Sequence, residues 1–440
     1  MGLQGKKNVL YTVLVNLSRV VLALVLVLSG FVKAVDPKGT MYKLQEYADA
    51  FSIDLFSADW LLFFAIVLAS VEFLLGVFLL LGTYRRIVSM AVFLVFVFFT
   101  PFTLFLAISD VVSDCGCFGD AVGMSNWESF FKNLLLFLLS VTVFVGRRHF
   151  VFGLSVKNRW LATLFAVFYI AVVQAMSLSY IPVLDFRNYA VGNDLRELVQ
   201  GESDIYKVVL TYEKDGNKLD FTQDSLPDET WRFVESRSEL VAEGRKPVVS
   251  DFAILDWESD YDMTEEMLAD TGFVCFIVAE SLSEASVGRV DKINDLYDYC
   301  LERGIRFCAA TSSDEEEILL WRKHTGAEYP IYWADYMLLR TIVRANPGVV
   351  LLKDGVVVGK WNVTSMPDIE QMMSLGVSDK LVKDAVWGID GKIFWSLLFF
   401  LPLLAIILLD LATGYRTKLA KPETLVEVHT ACAEENDTIA

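Results

Sequence analysis

The sequence predicts a membrane α-helical protein, in which a four-helix bundle and two further transmembrane helices carry an α/β extracytoplasmic domain. Hydrophobic residues make up 54% of the 440 residues, a larger share than soluble domains usually have. Six apolar runs are each long enough to cross a bilayer. A separate acidic segment alternates strand and helix patterns, as α/β domains do. Together these observations define the fold class.

Each predicted span approaches the roughly 20 apolar residues that cross a hydrocarbon core of about 30 Å. We place the spans near residues 9–32, 59–82, 87–109, 128–146, 159–181 and 393–412. The first is not a signal peptide, because its apolar run is too long, no small-residue cleavage site follows it and more spans come after it. The chain is therefore expected to cross the membrane several times.

Basic residues mark every second short loop, at Lys6, Lys7, Arg85, Arg86, Arg147, Arg148, Lys157, Arg159, Arg416, Lys418 and Lys421. Loops rich in Lys and Arg remain on the cytoplasmic side of a membrane. The pattern predicts a protein of the bacterial inner membrane with both termini in the cytoplasm. The remaining loops, including the acidic segment, then lie in the periplasm.

The predicted spans divide the chain into five parts. These are a four-helix transmembrane domain at 1–150, a fifth transmembrane helix at 151–182, a periplasmic α/β domain at 183–390, a sixth transmembrane helix at 391–415 and a disordered cytoplasmic tail at 416–440. The periplasmic part holds 40 Asp and Glu against 21 Lys and Arg, so the chain's net charge of −18 belongs to it. This acidity argues against nucleic-acid binding, which needs Lys and Arg to neutralise phosphates.

The periplasmic domain shows a regular order of short elements. Strands are predicted at 206–211, 219–222, 273–278 and 306–310, helices at 284–303 and 314–325, and a closing pair of strands within 346–361. The dipeptide Asp215-Gly216 predicts a hairpin between the first two strands, and Asp354-Gly355 predicts another in the closing pair. Alternating strand and helix predicts parallel strands in the central part.

This order, with Pro347 at the entrance to the closing hairpin, resembles the thioredoxin/peroxiredoxin fold. The resemblance implies that Pro347 is cis and faces a partner-binding site. It also implies a Cys-x-x-Cys motif just after the strand at 273–278, where the sequence instead reads Ala-Glu-Ser-Leu-Ser-Glu. The cysteines of this domain, Cys275, Cys300 and Cys308, are predicted to be core thiols, since free cysteine is among the most buried residue types. The domain is thus expected to keep the binding shape without the thiol pair.

A Cys-Gly-Cys sequence lies in the loop between the third and fourth spans. A disulfide between Cys115 and Cys117 would close a small strained ring, which suits exchange better than bracing a fold. The flanking Asp114 and Asp120 are expected to raise the pKa of the thiols by charge repulsion, unless Lys33 or another cation approaches. Three alternatives to exchange remain open: a static loop-shaping pair, a thiolate metal site such as Cu(I) with Met124, and lipid attachment or no role.

Polar residues within the first two spans form a second candidate group. Arg19 and Glu72 each lie about ten residues from the cytoplasmic end of their span, a depth at which a lone charge costs about 2.5–3.5 kcal/mol. We expect them to pair, with Asn16 adding a hydrogen bond, as a structural clamp, a proton path or a polar site for a quinone head. Lys33 and Asp36 are expected to anchor the outer loop, and Pro37 with Gly39 to shape its turn.

Spans one to four resemble the DoxX/MauE superfamily of four-helix membrane proteins over residues 9–146. The matching residues are Asn16, Arg19, Ser29, Gly30, Lys33, Asp36, Pro37, Glu72, Gly76 and the Cys115-Gly116-Cys117-Phe118-Gly119 loop. The fused outer domain and last span resemble the long form found in Bacteroidetes-type bacteria. The MauE resemblance implies support of disulfide formation in a periplasmic partner.

These observations lead to the hypothesis of a thiol–disulfide oxidoreductase whose catalytic residues are Cys115 and Cys117. Its environment would be membrane lipid, its partner a periplasmic protein, and membrane quinone is a candidate electron acceptor, with no other cofactor and no metal assigned. One alternative is a non-catalytic scaffold whose periplasmic domain binds part of an envelope complex. Another, solute or ion transport, rests on Arg19 and Glu72 alone, because the chain lacks the internal repeat typical of transporters.

Overall fold

The computed structural model describes residues 3–419, apart from 54, 113, 152, 201–204, 215, 223–225, 229, 243–246, 250, 251, 258 and 376–390. The chain divides into two compact units, one of residues 1–186 with 384–440 and the other of residues 187–383. Asp215 of the predicted first hairpin and the tail from residue 420 lie outside the described residues.

The first unit is helical. Its helices are α1 (Leu3–Val35), α2 (Pro37–Ala50), α3 (Ala58–Leu80), α4 (Arg85–Ser109), α5 (Asn126–Gly146), α6 (Arg159–Ser179) and α13 (Gly391–Leu419). Six of them contain segments long and apolar enough to cross a membrane, at 8–35, 58–80, 85–109, 126–149, 159–179 and 393–413. A helix satisfies all its backbone hydrogen bonds internally, which the hydrocarbon interior requires. The chain is a multi-pass membrane protein, as predicted.

Helices α1 and α3 pack at very short range through two glycines. A Cβ atom at Gly30 would lie 2.4 Å from the backbone nitrogen of Phe73, and one at Gly76 would lie 2.6 Å from that of Val27. Small residues allow such close backbone approach between membrane helices. The contact fixes the register of the two helices, and with it the residues that face each other.

Helix α2 was not predicted. Pro37 and Gly39, which we expected to shape a turn, instead open this helix. Pro37 occupies its first turn, where the missing N–H costs nothing, and the side chain of Asp36 accepts a hydrogen bond from the Gly39 nitrogen at 2.9 Å as the N-cap. The expectation of a turn was therefore wrong, because an Asx-Pro start is equally an N-terminal helix signal.

The second unit contains two sheets. Its elements are α7 (Leu195–Gln200), β1 (Ile205–Lys214), β2 (Asn217–Thr222), β3 (Arg232–Ala242), β4 (Ile254–Leu255), α8 (Thr264–Leu268), β5 (Phe273–Ala279), α9 (Asp291–Arg303), β6 (Arg306–Thr311), α10 (Glu315–Thr325), β7 (Ile331–Ala334), α11 (Tyr336–Ile342), β8 (Gly348–Lys353), β9 (Val356–Asn362) and α12 (Ile369–Leu375). One sheet has the strand order β2-β1-β3 and the other β4-β7-β6-β5-β8-β9.

The six-stranded sheet carries the predicted β-α-β-α order followed by the proline-led β-β-α segment. Strands β5 and β6 pair in parallel, and β8 runs antiparallel to both β5 and β9. The chain adds β7 and α11 before Pro347, and α9 begins at Asp291, seven residues later than predicted. The predicted fold class, six apolar helices with a mixed α/β region, is confirmed.

The three cysteines of this unit lie in its interior. Cys275 and Cys300 are fully buried and Cys308 nearly so. The Cys300 thiol lies 3.4 Å from that of Cys275, and the Cys308 thiol lies 3.7 Å from the sulfur of Met267. The prediction of core thiols is confirmed.

Candidate functional site

The loop with the two cysteines is tied together where it meets the bundle. Asn126, the first residue of α5, is buried and donates hydrogen bonds to Asp110 Oδ1 at 3.2 Å and to the Val112 carbonyl at 2.7 Å. Asp110 is the C-cap of α4, so one amide side chain joins both ends of the loop. The Ser125–Glu128 capping box completes the start of α5.

Both cysteine carbonyls are held by side chains from other helices. The Tyr47 hydroxyl of α2 donates to the Cys115 carbonyl at 2.8 Å. The Lys33 ammonium of α1 donates to the Cys117 carbonyl at 2.6 Å, and the Ser29 hydroxyl lies 2.8 Å from the same oxygen. These bonds fix the backbone on either side of Gly116. We expected Lys33 to anchor the outer loop that follows the first span; its ammonium instead binds the backbone of the cysteine loop.

Lys33 also forms a buried ion pair with Glu72 of α3. Its Nζ lies 2.8 Å from Glu72 Oε2, and the two side chains are 7% and 10% exposed. Ser29 Oγ lies 3.0 Å from the same carboxylate oxygen. The predicted Arg19–Glu72 pair is wrong. Because Gly30 faces Phe73 across the α1–α3 contact, Glu72 lies level with the C-terminal part of α1, more than three turns from Arg19.

Arg19 and Asn16 belong to a separate polar group at the opposite end of the bundle. The Arg19 guanidinium lies over the Phe150 ring at 4.8 Å, and Arg85 approaches the same ring at 5.7 Å. Asn16 donates to the His149 carbonyl at 2.9 Å and accepts from the Val151 nitrogen at 3.2 Å. Both residues therefore hold the chain after α5 against α1. The expected hydrogen bond from Asn16 to Arg19 is replaced by these contacts.

The backbone between the cysteines adopts a left-handed conformation. Gly116 has φ +61°, and a Cβ there would lie 2.7 Å from Cγ of Lys43. Asp114 accepts a hydrogen bond from the Gly116 nitrogen at 2.7 Å and forms an ion pair with Lys43 at 3.2 Å. Lys43 thus neutralises the acidic residue next to the thiols, and glycine is needed for both the conformation and the space.

The two thiols have opposite electrostatic environments. The hydrogen bond from the Cys115 thiol stabilises the thiolate of Cys117 and holds its pKa below the ordinary thiol value, with further lowering from Lys132 and Lys33. The same hydrogen bond, together with burial, raises the pKa of Cys115. The expected rise of the thiol pKa values from Asp114 and Asp120 applied only in the absence of an approaching cation, and Lys132 and Lys33 approach Cys117.

A difference in exposure accompanies this electrostatic difference. Both thiols are free; Cys115 is buried at 8% exposure, whereas Cys117 is half-buried. The thiolate of Cys117 is the more stable of the two, and a more stable thiolate is the better leaving group. The geometry therefore suits Cys117 as the sulfur that bonds to a partner and Cys115 as the one that resolves that bond.

A cavity of about 360 Å³ adjoins the two thiols within the helical unit. Its walls come from α1 to α5 and the cysteine loop, and most of its lining is apolar, with a row of phenylalanines on α4. Lys33, Glu72 and Lys132 are among the charged residues that line it. Lys132 also lies over the Phe118 ring, 4.6 Å from its centre. The site therefore combines a thiol pair, an apolar chamber and fixed cations.

Three residues of this site were absent from our sequence prediction: Tyr47, Lys43 and Lys132. Tyr47 and Lys43 lie on the unpredicted helix α2, and the sequence offered no direct sign that they reach the cysteines. Lys132 did carry a signal, since an ionisable residue inside a predicted span indicates a functional site. Within the described part of the chain, no cluster of three or more His, Cys, Asp or Glu could hold a metal ion.

In the second unit, the bond between Asn346 and Pro347 is cis, as the resemblance implied. The Asn346 side chain donates to the Ser281 carbonyl at 2.7 Å. Ser281 follows β5, where the Cys-x-x-Cys motif was expected, and its hydroxyl lies 2.9 Å from that of Ser283. Pro347 therefore adjoins the place of the missing thiol pair. Its partner-binding role stays a prediction.

Comparison with known proteins gives two family matches. Residues 11–146 match the family "Methylamine utilisation protein MauE", and residues 206–243 match a "Domain of unknown function (DUF8463)". The first match confirms the predicted MauE likeness of the four-span region, about a third of the chain. It includes both cysteines and every lining residue of the cavity.

A search of curated proteins gave no match. Among solved structures, the chain is similar to a solution structure described as a candidate protein disulfide isomerase from Bacteroides thetaiotaomicron. The identity is 18%, and the alignment covers 31% of this chain and 87% of that chain, with a TM-score of 0.23.

Proposed function

We propose that this membrane protein is a thiol–disulfide oxidoreductase that introduces disulfides into a partner protein through Cys115 and Cys117. The observation that carries the proposal is the asymmetric environment of the two sulfurs. The thiolate of Cys117 is stabilised by the Cys115 thiol, Lys132 and Lys33, whereas the pKa of Cys115 is raised. A pair whose reduced form is stabilised is an oxidant.

The reaction begins with the loop disulfide. A partner thiolate attacks Cys117 Sγ, a mixed disulfide forms, and Cys115 leaves as a thiolate that takes up a proton. A second partner thiolate then attacks the partner's own sulfur in the mixed disulfide, and Cys117 leaves as a stabilised thiolate. The partner gains one disulfide and loses two electrons, which the loop receives. Tyr47 and Lys33 hold both cysteine carbonyls during the exchange.

The thiols must meet an oxidising compartment for this function. The distribution of Lys and Arg among the short loops supports a bacterial inner-membrane protein with the cysteine loop and residues 183–390 in the periplasm. We further propose that the domain around Pro347, which has no thiol pair after β5, binds the partner and does not itself exchange disulfides.

Trapping of the mixed disulfide tests the exchange. In Cys115→Ser the Cys117 thiolate can still attack a disulfide of the oxidised partner, but no Cys115 thiol is present to displace the partner again, so the mixed disulfide should persist. We expect this variant to accumulate a reductant-sensitive adduct in cells, and Cys117→Ser, its matched control, to accumulate far less. Equal absence of adducts in both variants, with a normal phenotype for the double serine variant, would refute the redox function and favour the scaffold.

Cysteine labelling tests the orientation. In a background without Cys115, Cys117 and Cys432, Lys218→Cys should react with a membrane-impermeant maleimide added outside the inner membrane. Arg148→Cys should react only after the membrane is permeabilised. Both native side chains are exposed, so the difference reports the side of the membrane. Protection of Lys218→Cys would reverse the proposed topology.

A further inference from the structure

We infer that the cavity beside Cys115 and Cys117 binds the ring of a membrane quinone, which takes the electrons from the reduced loop. This inference rests on the proposed thiol exchange and names the acceptor that completes it. Three features carry it: the lining of the cavity, its access from the lipid-facing surface and the placement of Lys132.

The size and lining fit a flat apolar ligand. The volume of about 360 Å³ falls within the range of about 300–1,000 Å³ that is usual for small-molecule sites. Phe96, Phe99 and Phe102 of α4 line the cavity together with Leu136 of α5. Aromatic side chains bind a flat conjugated ring by stacked or edge contacts. A hydrated substrate would lose its water here with few polar groups to replace it.

The cavity reaches the surface of the helical bundle. Phe98 and Phe51 line it and are themselves 63% and 38% exposed. Both lie among the apolar residues that face outwards from the helices, where lipid surrounds a membrane protein. A ligand can thus enter sideways from the bilayer, which a quinone with an isoprenoid tail requires.

Lys132 supplies the polar contact. Its ammonium lines the cavity at the level of Phe118, close enough to Cys117 to lower the pKa of that thiol. Lys33 pairs with Glu72, and Lys43 with Glu46 and Asp114. Lys132 takes part in no ion pair among the residues that the structure describes. A cation in that position can donate a hydrogen bond to a ring oxygen, which gains negative charge as the quinone is reduced.

The reaction balances without a further co-reactant. The two S–H groups of Cys115 and Cys117 lose their protons and two electrons, and one S–S bond forms. The quinone gains two electrons on its ring and two protons on its oxygens, becoming a hydroquinone. The loop disulfide is then ready for the next partner thiol.

The test uses the full-length protein in detergent micelles, reduced with dithiothreitol and desalted. Decyl-ubiquinone is added, its reduction is followed by absorbance, and the remaining thiols are counted by maleimide mass shift. We expect one quinone to be reduced for each loop, with the loss of two reactive thiols, and no reduction by Cys115→Ser. Menadione serves as a second quinone in the same assay.

Two pairs of variants at neighbouring residues distinguish an effect of filling the cavity from an effect on the fold. Val95→Trp and Leu68→Phe fill the cavity, whereas Leu94→Trp and Val67→Phe introduce the same side chains at outward-facing neighbours. The filled variants should reduce quinone at least tenfold more slowly, while exchange with a dithiol peptide stays as in the wild type. The controls should match the wild type in both assays.

Lys132 is tested by its dependence on quinone concentration. Lys132→Met should raise the apparent KM for decyl-ubiquinone about tenfold, the equivalent of one charge-assisted hydrogen bond, and Lys132→Arg should recover most of it. The inference is overturned if the wild type with its loop disulfide oxidises the peptide, whereas the reduced wild type is not oxidised by either quinone. It is also overturned if the filled variants are oxidised as fast as their controls, as would occur if the cavity holds a lipid chain. Failure of the peptide exchange itself would instead refute the proposed function.

Discussion

Replacing Lys33 with methionine should release the cysteine loop from the bundle. The ammonium uses all three of its donors, on Ser29 at 2.7 Å, Glu72 at 2.8 Å and the Cys117 carbonyl at 2.6 Å. Both members of the ion pair are almost fully buried. Removing one partner of a buried pair leaves the other charge uncompensated, at a cost of about 3–5 kcal/mol.

The assay is the rate at which N-ethylmaleimide labels Cys115, measured in a Cys117→Ser background. Cys115 is 8% exposed, so it reacts only when the loop opens, and the rate follows the opening equilibrium. A cost of about 3 kcal/mol or more predicts at least a 100-fold faster labelling. Leu28→Met, an exposed position on the same helix, should label at the background rate.

A second substitution separates charge from packing. In Lys33→Met with Glu72→Gln the buried carboxylate is gone, so most of the lost protection should return. A labelling rate of Lys33→Met within about twofold of the background would contradict the argument, because the pair would then contribute less than about 0.5 kcal/mol. The loop would be held by its other contacts.

Three further predictions concern individual residues. The lowered pKa of Cys117 should keep its alkylation fast as pH falls through the ordinary thiol value, which the iodoacetamide rate of Cys117 in the reduced wild type, resolved by peptide mass spectrometry, would check. The stability from this shift is full above the ordinary value and is lost as pH falls through the lowered pKa, which thermal unfolding from pH 5 to 9 would check. Gly116→Ala should destabilise the loop by about 1–2 kcal/mol, because alanine is strained at φ +61° and its Cβ would clash with the Lys43 side chain. The rate of Cys115 labelling should then rise about tenfold. Cys275, fully buried and with a raised pKa caused by its hydrogen bond to a neighbouring thiol and by burial, should be labelled no faster than the protein unfolds in urea.

The helices and the central strands could be predicted because their signal is local. A run of about 20 apolar residues has few alternatives to a membrane span, and the six spans agree with the sequence to within a few residues. Strand β5 is apolar along its whole length and buried, as a central strand must be. By contrast β3 has exposed and polar residues along most of its length, so its sequence shows no clear strand period. Helix α2 was missed because the proline that begins it also suits a turn.

The sequence by itself determined the membrane spans and the position of Cys115 and Cys117 in a loop between two of them. Only the tertiary structure decided that Glu72 pairs with Lys33 and not with Arg19. Depth measured along a single helix does not give the register between two helices, which here follows from the close contact of Gly30 and Phe73. The structure likewise decided which thiol is the stabilised one, because the pKa of Cys117 is lowered first by the hydrogen bond from the Cys115 thiol and then by Lys132 and Lys33, which come from different helices of the bundle.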